Sequence, residues 1–423
     1  MDILEARDRR VQKQQELLQK HGKTLVSFTM NIAGPVKVSR PIEAAFRTGD
    51  LLIREQLSII EQVETSAKTG FEKFYVVEQG PKATKEICLH METLVPFGRL
   101  FDLDVLTPDN QKISRSDLGL PPQKCLLCEK DAVICGSSRA HSVPELQNAT
   151  GKLLRSAIPE YISRLAVKSL ITEVEPTPQP GLVDRNNSGS HQDMDIQAFY
   201  RSASALKSYF YSCAGTQAES PKALFAALRP LGMEAEQDML AATGGVNTHK
   251  GAIFSMGILC AAAAQCFPDT ADILNYCAQM TEGLIAQDFG SITQPKTAGE
   301  RLYVEHGITG IRGQAEQGFP AILQVGLPIL QEGLRRGLSI NDAGCAVLLH
   351  LLAVTDDTNM ISRSDLATLR EIQSRLQAML ADDPYPDLQT IFKLDEEFIQ
   401  KNLSPGGSAD LLALTYFLYF LTT

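Results

Sequence analysis

The chain has 423 residues, 44% of them hydrophobic and 21% charged, which allows two or three domains with their own cores and excludes a disordered protein. Its formal charge of −10 argues against nucleic acid as a partner, because neutralising phosphates needs a basic face; local basic pockets for a phosphorylated small molecule remain compatible with it. Nine cysteines without secretory context read as reduced thiols, mostly packed as small apolar groups.

The opening "MDILEARDRRVQKQQELLQKHG" carries charges where a signal peptide needs an apolar core. It is expected to form a surface amphipathic helix on a protein that stays in the cytoplasm. Alternating runs then predict a strand over 23–31, a helix over 40–57, a strand over 71–79 and a helix over 81–94 with Pro81 at its start. A strand over 97–106, a turn at "TPDNQ" and a short "KISR" segment follow. This half is predicted to be α+β.

Beyond about residue 155 the β-branched runs give way to Ala- and Leu-rich stretches at helical spacing, such as "KALFAALRPLGMEAEQDMLAAT" and "DLATLREIQSRLQAMLADD", which predicts a nearly all-α half. The seam is expected within 142–159, giving domains 1–155 and 156–423. The Pro-rich "EVEPTPQPG" (173–181) is expected to be an ordered loop, because the segment before it already has the all-α texture. The apolar runs 251–267 and 410–423 are shorter than the roughly 20 residues of a membrane span and predict buried core helices.

"FGRLFDLDVL" (97–106), as a strand, places Phe101, Leu103 and Val105 on one face and Leu100, Asp102 and Asp104 on the other, since side chains alternate with period two. Two carboxylates about 6 to 7 Å apart repel unless a cation sits between them. With Gly98 and Arg99 in front, the segment has the shape of a nucleotidyltransferase active strand. Its glycine admits a phosphate, and its aspartates hold Mg2+ that bridges nucleotide phosphates. A solvated strand face is the alternative.

"CLLCEKDAVICGSSRAH" contains Cys125, Cys128, Cys135 and His141, the ligand set of a structural Cys3His zinc site. Three reduced cysteines beside a phosphate-binding loop with Arg139 remain the other reading. Together with "GRLFDLDV" and "ISRSDLGLPPQK", this tail makes residues 1–150 resemble the citrate lyase holo-acyl-carrier-protein synthases, the phosphoribosyl-dephospho-CoA transferases. The resemblance implies transfer of a phosphoribosyl-dephospho-CoA group to a serine of the acyl carrier subunit of citrate lyase, with pyrophosphate released. It assigns Asp102 and Asp104 to that chemistry.

In the second half, "PGLVDRNNSGSHQDMD" (180–195) gathers Asp184, Arg185, His191, Asp193 and Asp195, a density of donors and carboxylates that suits a metal–polyphosphate site. "ATGGVNTHKGAIFS" (242–255) sets Gly244, Gly245, Asn247, Thr248, His249 and Lys250 before an apolar helix, a phosphate-binding design without P-loop spacing. "EHGITGIRGQAEQGFP" adds His306, Arg312 and Glu316, and "TDDTNMISR" adds Asp356, Asp357 and Asn359. The last cluster reads as a Mg2+ site or as a helix cap.

These four ordered motifs resemble the triphosphoribosyl-dephospho-CoA synthase family. The resemblance implies that ATP and 3′-dephospho-CoA react to give triphosphoribosyl-dephospho-CoA and adenine. Lys250 and Arg312 are then expected on phosphate, Asp193, Asp195, Asp356 and Asp357 in metal or base roles, and His249 or His191 in proton transfer. Gln179 and Gln314 stand where the family carries charge. The chain is thus expected to be a bifunctional enzyme that makes and attaches the citrate lyase prosthetic group. The malonate decarboxylase version of that pathway and an inactive nucleotide-binding scaffold are the rivals.

Overall fold

Seven residues, Thr24–Met30, form a strand (β1) whose alternate side chains point to two differently furnished faces. The computed structural model describes residues 3–423, with side chains described from residue 5 onward. Contacts divide the chain into two compact units, one ending at Tyr161 and one covering Ile162–Thr423.

In the first unit β1 lies at the centre of an antiparallel sheet with β2 (Ile59–Ala67), β3 (Gly70–Val77), β4 (Phe101–Leu106) and β5 (Lys112–Ile113), in the order β2-β3-β1-β4-β5. β2 was not anticipated, because its sequence "IIEQVETSA" is largely polar and half-exposed. Helix α1 (Ile3–His21) covers one face at one end, where Leu17 and Leu18 pack with Leu25, Phe74, Val76 and Leu106. Helices α2 (Arg40–Gln56) and α3 (Pro81–Met91) serve the opposite face: Phe46 stacks on Phe28 at 4.8 Å, and Lys85 donates to the Leu103 carbonyl at 2.8 Å.

That second face also holds a buried polar group. Asp50 of α2 accepts from Tyr75 at 2.6 Å and pairs with Lys73 at 3.0 Å, while Lys73 reaches Glu64 at 3.1 Å. Burial pushes the Asp50 carboxyl up, but Lys73, Tyr75 and Arg54 outweigh it and hold it below the ordinary carboxylate range. After β5 come α4 (Ala132–Ser138) and α5 (Val143–Leu154), the latter opened by a capping box between Ser142 and Glu145.

The division between the units falls within α6 (Ala157–Val174). The second unit is built from helices, among them α7 (Ile196–Ala205), α8 (Lys207–Gly215), α9 (Pro221–Thr243) and α10 (Lys250–Cys266). The stretch 195–215, helical in pattern throughout, breaks at Leu206 into α7 and α8. α10 is buried on nearly all sides from Ala252 to Ala264, as are Ile340–Leu352 and the C-terminal helix Gly406–Thr422. A helix apolar all round must lie inside other helices, and these three form the centre of the unit. Among the described residues no helix is long and apolar enough to cross a membrane. The Pro-rich segment is ordered, Thr177 exchanging two hydrogen bonds with the Asn341 side chain at 2.9 and 3.0 Å.

Candidate active sites

Asp102 and Asp104 lie opposite Thr29 and Ser27 of β1, on the face that α1 covers only at its far end. They share a face, and Phe101, Leu103 and Val105 are buried on the other. Thr29 donates to Asp102 at 3.2 Å, and Lys112 sits 2.5 Å from Asp104. The surrounding protein, and next the Asp104 carboxylate, raise the Asp102 carboxyl above its usual range. Lys112 offsets part of this rise.

Two details of this segment differ from the sequence expectation. The strand begins only at Phe101; Gly98–Leu100 form a 3-10 turn, and Leu100 is buried. Gly98 is required by packing, since a β-carbon there would fall 2.3 Å from the Glu92 carbonyl oxygen. Arg99 donates through Nη2 to the Lys124 carbonyl, next to Cys125. Side-chain ligand atoms of Cys125, Cys128, Cys135 and His141 all lie within 4.8 Å of one another. Arg139 has left-handed backbone (φ 47°) and ends α4.

In the second unit a cavity of about 540 Å³ draws on all four polar motifs. Of the expected residues, His191, Asp193, Asn247, Thr248, His249, Lys250, Asp356 and Asp357 line it. His249 is buried, its Nδ1 2.6 Å from the Ser202 hydroxyl and its Nε2 without a partner. Burial pulls it down to about 3, so the ring is neutral at physiological pH. His191 accepts from Arg363 at Nδ1 (3.1 Å) and therefore donates through Nε2 to Ser404 (2.9 Å). Lys250, the first residue of α10, is exposed and pairs with Glu236 of α9 at 2.9 Å. Asp356 pairs with Arg370 at 2.8 Å.

Several expected residues are occupied elsewhere. Asp184 is buried and accepts from the amides of Gln179, Asn186 and Asn187, ordering its own loop. Arg185 pairs with Glu175 at 2.9 Å, and Asp195 caps α7 by accepting from Ala198 at 2.8 Å. Gly244 and Gly245 take left-handed backbone (φ 71° and 93°) that terminates α9. Arg312 lies off the cavity, paired with Asp288 at 2.9 Å and packed over Phe254 and Phe289. Asp357 lines the cavity, yet its oxygens accept from Asn359 and Met360 and from the amide and hydroxyl of Ser408. It is a cap that ties the helix Thr358–Arg363 to the C-terminal helix.

The cavity also contains Glu173 and Asp410, which the sequence motifs did not include. Burial, and then Asp357, push Asp410 up to about 8. Burial, and then Asp410, drive Glu173 well above the carboxylate range. With a value of about 8, Asp410 holds its proton at neutral pH, and Glu173 is shifted in the same direction. The Asp410 carboxyl lies against Gly251 and the Ala252 amide at the start of α10. The one signal for it in the sequence was an acidic residue opening an otherwise apolar run.

An acidic strand in one unit and a helical polar cavity in the other define a protein with two separate polar sites, and comparison with known proteins gives them an identity. Residues 159–423 match the family model of ATP:dephospho-CoA triphosphoribosyl transferases, and residues 1–157 that of apo-citrate lyase phosphoribosyl-dephospho-CoA transferases. The protein CitXG of Haemophilus influenzae is 34% identical over 443 residues, 98% of this chain and 94% of that protein. CitXG of Leuconostoc mesenteroides subsp. cremoris is 34% identical over 457 residues, 99% of this chain and 96% of that protein. The chain belongs to this family of fused transferases: it is a bifunctional transferase of citrate lyase prosthetic-group synthesis and attachment.

Proposed function

We propose that residues 156–423 carry out the first half-reaction in the cavity and residues 1–155 the second at the Asp102–Asp104 strand, in the cytoplasm, where the chain meets ATP, 3′-dephospho-CoA and the apo acyl carrier subunit. In the first step the bond between C1 of the ATP ribose and adenine breaks, and a bond forms to the 2′-hydroxyl of dephospho-CoA. One proton must leave that hydroxyl and one must reach adenine. Displacement at an anomeric carbon passes through an oxocarbenium-like state, and a protonated leaving group lowers its barrier.

Asp410, in its acid form, supplies the proton to adenine; burial and the Asp357 carboxylate keep that proton in place. Asp193, an exposed carboxylate on the cavity wall, takes the hydroxyl proton. His249 stays neutral and orients substrate through its unpaired Nε2, because a ring held near 3 is too weak a base. The His191–Arg363 pair and Lys250 face the triphosphate with positive charge. The observation that carries this reading is the Asp410 carboxyl set directly against Gly251 at the start of α10 in a cavity lined from all four family motifs.

In the second step a serine hydroxyl of the carrier displaces pyrophosphate. Asp102 and Asp104 offer hard oxygen donors that fit Mg2+, which would neutralise charge on the phosphates. In this half we read a nucleotidyltransferase-like site. The test uses full-length protein. Incubation with ATP and dephospho-CoA should release adenine, and adding apo carrier should release pyrophosphate in proportion to carrier modified. No adenine release from well-folded protein would overturn the assignment.

A further inference from the structure

The geometry points to a structural zinc site in the first unit, made by Cys125, Cys128, Cys135 and His141. Sγ of Cys128 lies 3.4 Å from Sγ of Cys135 and 3.4 Å from Nε2 of His141, and no pair of ligand atoms in the set exceeds 4.8 Å. A tetrahedral zinc ion with Zn–S near 2.3 Å and Zn–N near 2.1 Å needs ligand atoms roughly 3.5 to 3.8 Å apart. The four side chains already stand close to that spacing.

The backbone is shaped for the same purpose. Lys124 and Asp131 form an antiparallel bridge, and the Cys125 amide donates to the Lys130 carbonyl at 2.7 Å, closing a short hairpin. Inside it the Leu127 amide points at the Cys125 sulfur at 3.5 Å, the kind of donor that stabilises a metal-bound thiolate. α4 then brings Cys135 alongside, and the left-handed turn at Arg139 returns His141 to the group.

A second observation is independent of the cluster. Between Leu106 and Thr150 the only buried residue is Cys135. Val133 and Ile134 on the same short helix are 78% and 55% exposed, so the hairpin and α4 have no hydrophobic core to hold them. Segments that cannot bury enough apolar surface are commonly held by disulfides or a metal. Three thiols and an imidazole form a closed, soft donor set that selects zinc over Mg2+ and leaves no open coordination position. The role is therefore structural.

What the ion would secure is the approach to the acidic strand. The Lys124 carbonyl accepts from Arg99, three residues before Asp102, and Gln123 donates to Glu92 at 3.2 Å, the residue whose carbonyl packs on Gly98. Zinc would anchor the far end of both contacts.

Full-length protein purified without chelator should carry about one zinc per chain by elemental analysis, as a four-ligand site requires. Cys128→Ser and His141→Ala should each lose it, whereas Cys266→Ser in the second unit should keep it. As a readout that needs no variant, protein loaded with Co2+ should show the thiolate charge-transfer and ligand-field bands of a tetrahedral site. Reduced wild-type protein that takes up neither Zn2+ nor Co2+, or zinc retained in both ligand variants, would overturn the site.

Discussion

Gly251 and Asp410 touch so closely that a β-carbon on Gly251 would fall 1.9 Å from the Asp410 Oδ2. The absence of a side chain at the start of α10 is what lets the acid approach that helix. Gly251→Ala should push the carboxyl aside and slow adenine release by about tenfold or more, within the range general acids contribute. Pyrophosphate release from preformed intermediate should be unchanged. Equal loss of both activities would point to misfolding.

Asp410 also sets a pH dependence. Its acid form is the working one, so with a value of about 8 adenine release should fall as pH rises through that point. The stability sign follows from the same shift. Between the ordinary carboxylate value and about 8, the folded state holds a proton that the unfolded state has lost, so stability declines as pH rises. Asp410→Asn should therefore be less active yet melt at higher temperature than the parent, with a gap that widens toward pH 8. A parent and variant with parallel melting curves would contradict this.

Asp102→Asn and Asp104→Asn keep shape and remove charge. Each should abolish carrier modification and pyrophosphate release by at least about a hundredfold, the loss expected when a metal-binding carboxylate goes, while adenine release persists. Because the Asp102 carboxyl is raised by its surroundings and by Asp104, Asp102→Asn should not lower the melting temperature. One preparation assayed for both half-reactions decides it.

Lys250 and Arg312 looked equivalent in the sequence, and the structure separates them. Lys250→Ala removes a charge from the cavity wall and should raise the KM for ATP by about ten- to a hundredfold, for a charge-assisted contact of about 1.5 to 3 kcal/mol. Arg312→Ala removes a pair with Asp288 outside the cavity and should leave that KM near the parent value. Steady-state kinetics at varied ATP reads both.

Asp50→Ala leaves Lys73 buried with only Glu64 to pair with and should destabilise the first unit by about 3 kcal/mol. Asp50 sits below its ordinary range, so its contribution is present above the unfolded carboxylate value and lost as pH falls through the folded one. Denaturant melts of parent and variant should therefore converge in acid.

What the sequence made legible was whatever a short periodic pattern controls. The shared face of Asp102 and Asp104 follows from alternation, and the buried runs of α10 and the C-terminal helix follow from composition. Local polar density misled where one residue type serves two purposes. Gly244–Gly245 end a helix as readily as they admit a phosphate, and Asp195 and Asp357 cap helices with the same oxygens that bind metal. Asp410 and Glu173 were hidden for a different reason. Each sits in an ordinary helical segment, and only the packing of helices far apart in the chain brings them together. The polar strand β2 escaped notice because its pairing with β3, rather than its own alternation, holds it.

The raised Asp410 carboxyl links nucleotide affinity to proton uptake. A polyanion entering beside an acid balanced near 8 shifts it further toward the protonated state, so binding near that pH draws hydrogen ions from the medium. The heat of ATP binding then varies with the ionisation enthalpy of the buffer, and affinity weakens in alkaline solution even though no catalytic turnover occurs.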